Sequence, residues 1–288
     1  MLHSLAGGTG SGLGARLAEE IRDLYPQSPL ATCSFAACPQ GETVLQNYNS
    51  LLSLTSISSS SDFVGLFSNE TLMQLVANNN DRTNSKTCAT IAKMNEYAAK
   101  CLAGQILPVT QTRNHRQFDK FQLWDWITNV TPLPSMRYAG FASSNWDEKY
   151  QSWSDRTTTV CRCIFPMERP RITFTASIKF RGVQKPEFWE SAGKIEERLK
   201  TRLMNPMFLS TTHSFLYGVC PKSQVKSIEI CYNSNDVLEL FEPVYKKAKL
   251  LFEKRAYLHW YERYAKDGVD QIFEEGFECI RRTIQEYL

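Results

Sequence analysis

The sequence predicts an α/β protein. A short parallel sheet with helices on its faces should come first, then a long central helix, a mixed α+β middle and a helical hairpin at the C-terminus. Three observations carry this. Apolar, β-prone runs alternate with helical patterns through the first third of the chain, as in a parallel sheet covered on both faces. Runs rich in β-branched and aromatic residues gather in the middle. The tail repeats apolar residues every three or four positions.

The first element is a glycine-rich run, Gly7-Gly8-Thr9-Gly10-Ser11-Gly12, at a presumed strand end. Leu13, Leu17, Ile21 and Leu24 follow at spacings of four, four and three. That is one apolar stripe of an amphipathic helix, which Pro26 and Pro29 end. Leu30 to Ala36 reads as a buried strand, and Thr43 to Ser56 as a helix carrying Val44, Tyr48, Leu51 and Leu52. Asp62 to Phe67 reads as a second buried strand, and Asn69 to Ala77 as a short helix that Asn69 is placed to cap. A polar turn spans Asn78 to Lys86, and a long helix runs from about Thr87 to Leu107, stopped by Pro108. Two clear strands are too few for a stable doubly wound domain, so the sheet is predicted to be incomplete.

In the middle, Trp146 to Trp153 reads as a polar loop. Cys161 to Phe165, Ile172 to Phe180, Ser214 to Val219 and Ser227 to Tyr232 read as strands, and Trp189 to Arg202 as a helix with Ile195 and Leu199 inward. The tail predicts a helix over Val237 to Tyr264, with Leu240, Val244, Ala248 and Leu251 on one face. Gly268 breaks it, and Phe273, Phe277, Ile280 and Ile284 mark the last helix. The implied domains are 1–86, the central helix 87–110, the α+β module 111–235 and the C-terminal helices 236–288.

Composition sets outer limits. The 288 residues carry 33 basic and 30 acidic side chains, a net charge of +3. That balance argues against nucleic acid or a membrane surface as partner. No apolar stretch reaches the roughly 20 residues of a membrane span, and Met1 to Ala6 lacks the pattern of a signal peptide. Nine cysteines, an odd number, fit a reduced intracellular chain better than a disulfide scaffold. The tight pair Cys161-Arg162-Cys163 has no second pair at zinc spacing, so no metal site is predicted; the two thiols are read as lying on one face of a strand. His3, His115, His213 and His259 show no catalytic or metal spacing. The Tyr/Trp run from 257 to 264 reads as helix packing, with His259 structural.

The glycine run carries the chemistry. Glycines permit positive φ and a close backbone approach to a ligand. Successive N–H groups, together with the positive end of the following helix, suit an anion such as a polyphosphate, and Thr9 and Ser11 can add hydroxyl donors. The run is neither a Walker A motif, since no Lys-Ser/Thr follows, nor the six-residue dinucleotide fingerprint. By composition alone, a flexible linker remains the other reading.

Gly-Gly-Thr-Gly-Ser-Gly resembles the signature loop of the tubulin superfamily. Four further blocks resemble that family in order and near-family spacing: Tyr48-Asn49-Ser50, Asn69-Glu70, Asn129-Val130-Thr131-Pro132-Leu133-Pro134, and Lys254-Arg255-Ala256-Tyr257-Leu258-His259-Trp260-Tyr261. Ala6 before the glycine run and the block Gln46-Asn47-Tyr48-Asn49-Ser50 look most like delta-tubulin. The resemblance implies a Rossmann-like nucleotide-binding domain, incomplete here, followed by the central helix, intermediate domain and C-terminal helices of that fold. It implies GTP, with Mg2+, as cofactor. Gly7, Gly8, Thr9, Gly10, Ser11 and Gly12 would hold the phosphates. Glu42 would accept from a ribose hydroxyl, or be a solvated loop or helix-start carboxylate. Asn69 would read the guanine edge or ribose, or simply cap its helix. Asn95 would read guanine, or be an exposed helical Asn. Ile91 stands where the family has an aromatic that stacks on the base, which weakens stacking. Asp125 would act in trans on a neighbour's nucleotide, orienting the hydrolytic water, or be a solvated acid.

The resemblance further implies a missing N-terminal part that carries other phosphate, base and magnesium contacts, so this stretch by itself is not expected to bind GTP tightly or hydrolyse it. Gln285-Glu286-Tyr287-Leu288 does not resemble the acidic tail of the commoner tubulins, so tail-mediated recruitment is not expected. The implied role is that of a delta-tubulin-like cytoskeletal GTP-binding protein of centrioles, basal bodies and triplet microtubules. Its partners would be other tubulins or centriolar and basal-body proteins. The alternative is a nucleotide-free interaction protein of the same fold, or a non-functional fragment.

Overall fold

The computed structural model describes residues 1–38, 41, 43–79, 90–107, 122–131, 133–146, 152–164, 171–183, 188, 192–197, 199, 213–218, 226–265 and 268–288. They form two compact units. The first is Met1–Glu70 with Leu133–Tyr138 and Asn235–Leu288; the second is Thr71–Pro132 with Ala139–Ser234.

In the first unit, β1 (Leu2–Ser4), β2 (Ala31–Ala36) and β3 (Phe63–Ser68) run parallel. The register pairs His3 with Ser34 and Cys33 with Gly65. A wide helical turn, Thr9–Leu13, continues into α1 (Gly14–Leu24). Helix α2 (Gln46–Ser60) follows β2, and α3 (Asn69–Asn79) follows β3, with only Asn69 and Glu70 of it in this unit and the rest in the second. The C-terminal stretch adds α7 (Leu238–Glu253), α8 (His259–Ala265) and α9 (Val269–Tyr287); α4 to α6 belong to the second unit. Leu51, Leu54 and Ile57 of α2 are fully buried, as are Phe241 and Ala248 of α7 and Phe273, Ile280 and Tyr287 of α9. Their apolar area is the main stabilising contribution here. Arg22 staples α1 to the start of β3. It pairs with Asp62 at 2.5 Å and donates to the Ser60 carbonyl at 2.7 Å.

The second unit holds α4 (Ile91–Ile106), α5 (Leu123–Val130), β4 (Tyr138–Trp146, from Ala139), α6 (Trp153–Ile164), β5 (Thr173–Arg181), a helical segment over 192–197, β6 (His213–Gly218) and β7 (Lys226–Ser234). Its strands lie in the order β4-β7-β5-β6, antiparallel except for the parallel pair β5-β6. Ile178, Phe180, Phe188, Ile195, Leu199, Ile228 and Ile230 form its core.

Several expectations are corrected. The stripe Leu13, Leu17, Ile21 and Leu24 is not the buried face of α1: these side chains are 56%, 46%, 37% and 69% exposed. Gly14, Ala15 and Ala18 are buried instead, because small residues let α1 approach α2 closely enough for Ser56 Oγ to donate to the Ala15 carbonyl at 3.4 Å. Helix α2 runs on through the serines to Ser60. Strand β4 was missed, since its run of Ala, Gly, Ser and Asn carries little β propensity. Cys161 to Phe165 is not a strand: 161–164 end α6 and Phe165 lies outside the described residues. Cys161 is therefore a buried helical thiol. The hydroxyls of Thr157, Thr158 and Thr159 donate to the carbonyls four residues back, at 2.7, 2.9 and 3.0 Å. The tail helix breaks at a turn where Arg255 and Tyr257 have φ of 49° and 62°. Trp260 and Tyr264 are not packed but exposed.

Candidate functional site

Because β1, β2 and β3 are parallel, their carboxyl ends share one edge of the sheet. Open α/β sheets bind ligands outside that edge. The glycine run follows β1, the segment containing Glu42 follows β2, and Asn69 follows β3. Glu42 itself lies outside the described residues.

The glycines of the run, with Gly14 just after it, divide into two kinds. A Cβ on Gly10 would sit 2.8 Å from both the nitrogen and the oxygen of Ser4, and one on Gly14 would sit 3.1 Å from His3 Cβ. These two are glycine because the loop folds back onto β1. A Cβ on Gly7, Gly8 or Gly12 would meet nothing within 4 Å. Positive φ does not explain them either: among the described glycines only Gly41 and Gly182 adopt it, and Gly8 is helical at φ −65°, ψ −47°. The positive φ that glycines permit is therefore not used at Gly7, Gly8 or Gly12, because the loop enters a helical turn directly. What the bare glycines leave is open space beside exposed backbone. Among the described residues, the N–H groups of Gly7, Gly8 and Thr9 have no acceptor.

The carbonyls of the loop are turned inward and held. Gly7 O accepts from Ser11 N at 3.1 Å and from the Ser11 hydroxyl, so buried Ser11 braces the turn, while Thr9 is exposed. His3 Nδ1 donates to Gly10 O at 3.1 Å, and Ser34 Oγ lies 2.9 Å from its Nε2. A carbonyl only accepts, so Nδ1 carries the proton and Nε2 accepts from Ser34. Burial pushes the His3 pKa below its ordinary value, against the raising effect of the bond to Gly10, which keeps the ring neutral. From α2, Asn49 Nδ2 donates to Ala6 O at 2.9 Å and Ser50 Oγ to Leu5 O at 3.4 Å.

Asn69, half-buried, is the first residue of α3. Asn95 and Asp125 belong to the second unit. Asn95 is exposed on α4, and Ile91, one turn before it, is 76% exposed. Asp125 is exposed in the first turn of α5, where a carboxylate suits the helix dipole. Among the described residues, no group of three His, Cys, Asp or Glu side chains could hold a metal ion, and no helix is long and apolar enough to cross a membrane.

Sequence reasoning missed His3, Asn49 and Ser50. Asn49 lies inside the Tyr48-Asn49-Ser50 block, which by itself assigns it no role. His3 and Ser34 are adjacent only through the strand register, which spacing along the chain cannot reveal.

Residues 1–77 match the family described as "Tubulin/FtsZ family, GTPase domain". The likeness supports the tubulin superfamily. Over 307 residues the chain is 27% identical to a "Tubulin beta-3 chain" of Oomycete-like sp. (strain MacKay2000), an alignment covering 100% of this chain and 65% of that one. It is 28% identical over 300 residues to a "Tubulin beta-2 chain" of Suillus bovinus, covering 100% and 65%. A "Tubulin beta chain" of Candida albicans is 27% identical over 301 residues, covering 99% and 64%. The chain thus spans about 65% of the length of the first of these relatives.

Proposed function

We propose that the chain binds GTP at the carboxyl edge of β1–β3 and serves as a tubulin-type cytoskeletal protein. The observation that carries this is the row of glycines at 7, 8 and 12, with no contact a Cβ would disturb, beside N–H groups without acceptors among the described residues. A polyphosphate needs both features. Gly7, Gly8 and Thr9 donate to phosphate oxygens, and the N-terminal end of the helix adds positive potential. The bound nucleotide would supply the polyphosphate that these groups recognise. Mg2+ would accompany the nucleotide and neutralise phosphate charge; among the described residues no acidic cluster would hold it alone.

In the same reading Glu42 meets the ribose, Asn69 the ribose or base, and Asn95 the guanine edge. Asp125, in trans, orients water at a neighbouring subunit's nucleotide. The finer assignment, a delta-tubulin-like protein of centrioles and basal bodies that works with other tubulins, rests on Ala6 and the block Gln46 to Ser50. The likeness to beta chains, at 27–28% identity, does not separate one tubulin type from another. A second reading, a nucleotide-free protein of the same fold, draws on exposed Ile91 at the base-stacking position.

A thermal-shift titration of the 288-residue chain with GTP, ATP and inorganic triphosphate tests the proposal. GTP should raise the midpoint and triphosphate should compete. Gly8→Ala should fold as well as the parent or be stabilised by about 0.5 kcal/mol, since its helical dihedrals admit alanine, yet lose most of the GTP response. If GTP moves neither the parent nor the variant, the nucleotide-free reading takes its place. Tagged protein in ciliated cells tests the location, and absence from basal bodies would remove the delta-like assignment.

A further inference from the structure

We propose that Asn49 is the positioning residue of the glycine loop, and that Tyr261 sets its orientation. The argument starts from the peptide plane between Ala6 and Gly7. In a trans peptide the carbonyl and the next N–H are antiparallel. Asn49 Nδ2 holds the Ala6 carbonyl at 2.9 Å on the α2 side, so the Gly7 N–H is driven to the opposite side, where the bare glycines leave room. Ser50 holds the preceding carbonyl, Leu5 O, in the same manner at 3.4 Å. Both grips come from one turn of α2.

The Asn49 amide is itself fixed. Its Oδ1 accepts from the Tyr261 hydroxyl at 2.8 Å. With a donor required at Ala6 O and an acceptor required by Tyr261, only one amide orientation satisfies both. Tyr261 is placed by its edge-on contacts with Tyr48 and Phe273, at 5.6 and 5.3 Å between ring centroids. Tyr48 in turn donates to the Ala256 carbonyl at 3.1 Å. Ala256 sits between Arg255 and Tyr257, the positive-φ non-glycine residues among those described. A turn built from such unfavourable dihedrals persists only where surrounding contacts hold it. Here it brings Tyr261 back onto α2. The chain of contacts runs from the α7–α8 turn through Tyr261 and Asn49 to the peptide that opens the loop.

This rests on the nucleotide reading for its functional consequence, but the positioning itself does not need a ligand. The first measurement is therefore made without one. In 15N-glycine spectra of the full chain, Asn49→Ala and Tyr261→Phe should move the Gly7 amide signal, while Gly104 and Gly140, in the other unit, stay in place. An unmoved Gly7 signal in both variants overturns the proposal. Tyr261→Phe loses only a hydroxyl and keeps its ring contacts, so it decides the matter if Asn49→Ala does not fold. The second measurement is titration with a fluorescent GTP analogue. Asn49→Ala should weaken binding about five- to tenfold, the scale of one hydrogen bond, and Tyr261→Phe less. The double variant should bind no worse than Asn49→Ala, because Tyr261 acts only through Asn49. Additive losses overturn the relay. A parent chain that binds no analogue sinks the nucleotide reading alone and leaves the Gly7 signal to judge the positioning.

Discussion

His3 shows how one side chain can set the pH range over which the loop stays formed. Its ring is buried between Ser34 and the Gly10 carbonyl, and its pKa is held below the ordinary 6.5 chiefly by that burial. As pH falls below 6.5, the unfolded chain takes up a proton here that the folded chain resists. Stability present above 6.5 is therefore lost as pH drops toward the lowered value. The urea midpoint should fall between pH 7 and pH 5. His3→Gln, less stable at pH 7, should show a shallower fall, and an unchanged slope would mean that the imidazole is not the group responsible.

Two elements carry opposite lessons about apolar and charged residues. Helix α1 packs by its small residues and leaves its large ones exposed. Leu17→Gln should therefore change stability by no more than about 0.5 kcal/mol. Ala18→Leu, which overfills a packed face, should cost about 1–3 kcal/mol; urea denaturation of both variants compares the two faces directly. Helix α4 ends, within the second unit, against buried charges. Arg181 donates to the carbonyls of Gly104 and Leu107 at 2.7 and 2.6 Å and pairs with Glu229 at 3.4 Å. Lys179, pushed down to about 8 by burial, donates to the Gln105 carbonyl. Gly104 is required here, because a Cβ would lie 2.2 Å from Glu229 Cγ. Arg181→Ala should cost about 3 kcal/mol by leaving Glu229 buried with its partner removed. The double change Arg181→Met/Glu229→Met should recover much of that, and no recovery would place the cost in packing.

At the scale of the whole molecule, the first unit is assembled from three stretches far apart in sequence. Tyr287, near the C-terminus, accepts from the Tyr138 N–H at 3.1 Å and donates to its carbonyl at 3.3 Å. Tyr138 also packs against Phe241, with ring centroids 4.8 Å apart. The last helix is thus part of the core that supports the glycine loop. Tyr287→Phe leaves a buried N–H unsatisfied and should cost about 1–3 kcal/mol. Removing residues 269–288, which bury Phe273, Ile280 and Tyr287, should abolish cooperative unfolding of this unit by calorimetry.

The glycine run, the order of strands and helices in the first third and the inward residues of the last helix were all legible in the sequence. Local backbone chemistry and the repeat of apolar positions determine them. Residues 153–164 also carry a helix-start signal, since Ser152 Oγ accepts from the Asp155 N–H at 3.1 Å and donates to its carboxylate at 2.7 Å, while the apolar run Cys161 to Phe165 alone reads as a strand. Only the tertiary structure decided which face of α1 is buried, that Tyr138 to Trp146 is a strand, and which glycines of the run the protein's own packing requires. The physical reason is the same in each case. Periodicity tells which residues share a face, but contacts made by segments distant along the chain decide which face is covered and what holds each carbonyl of the loop.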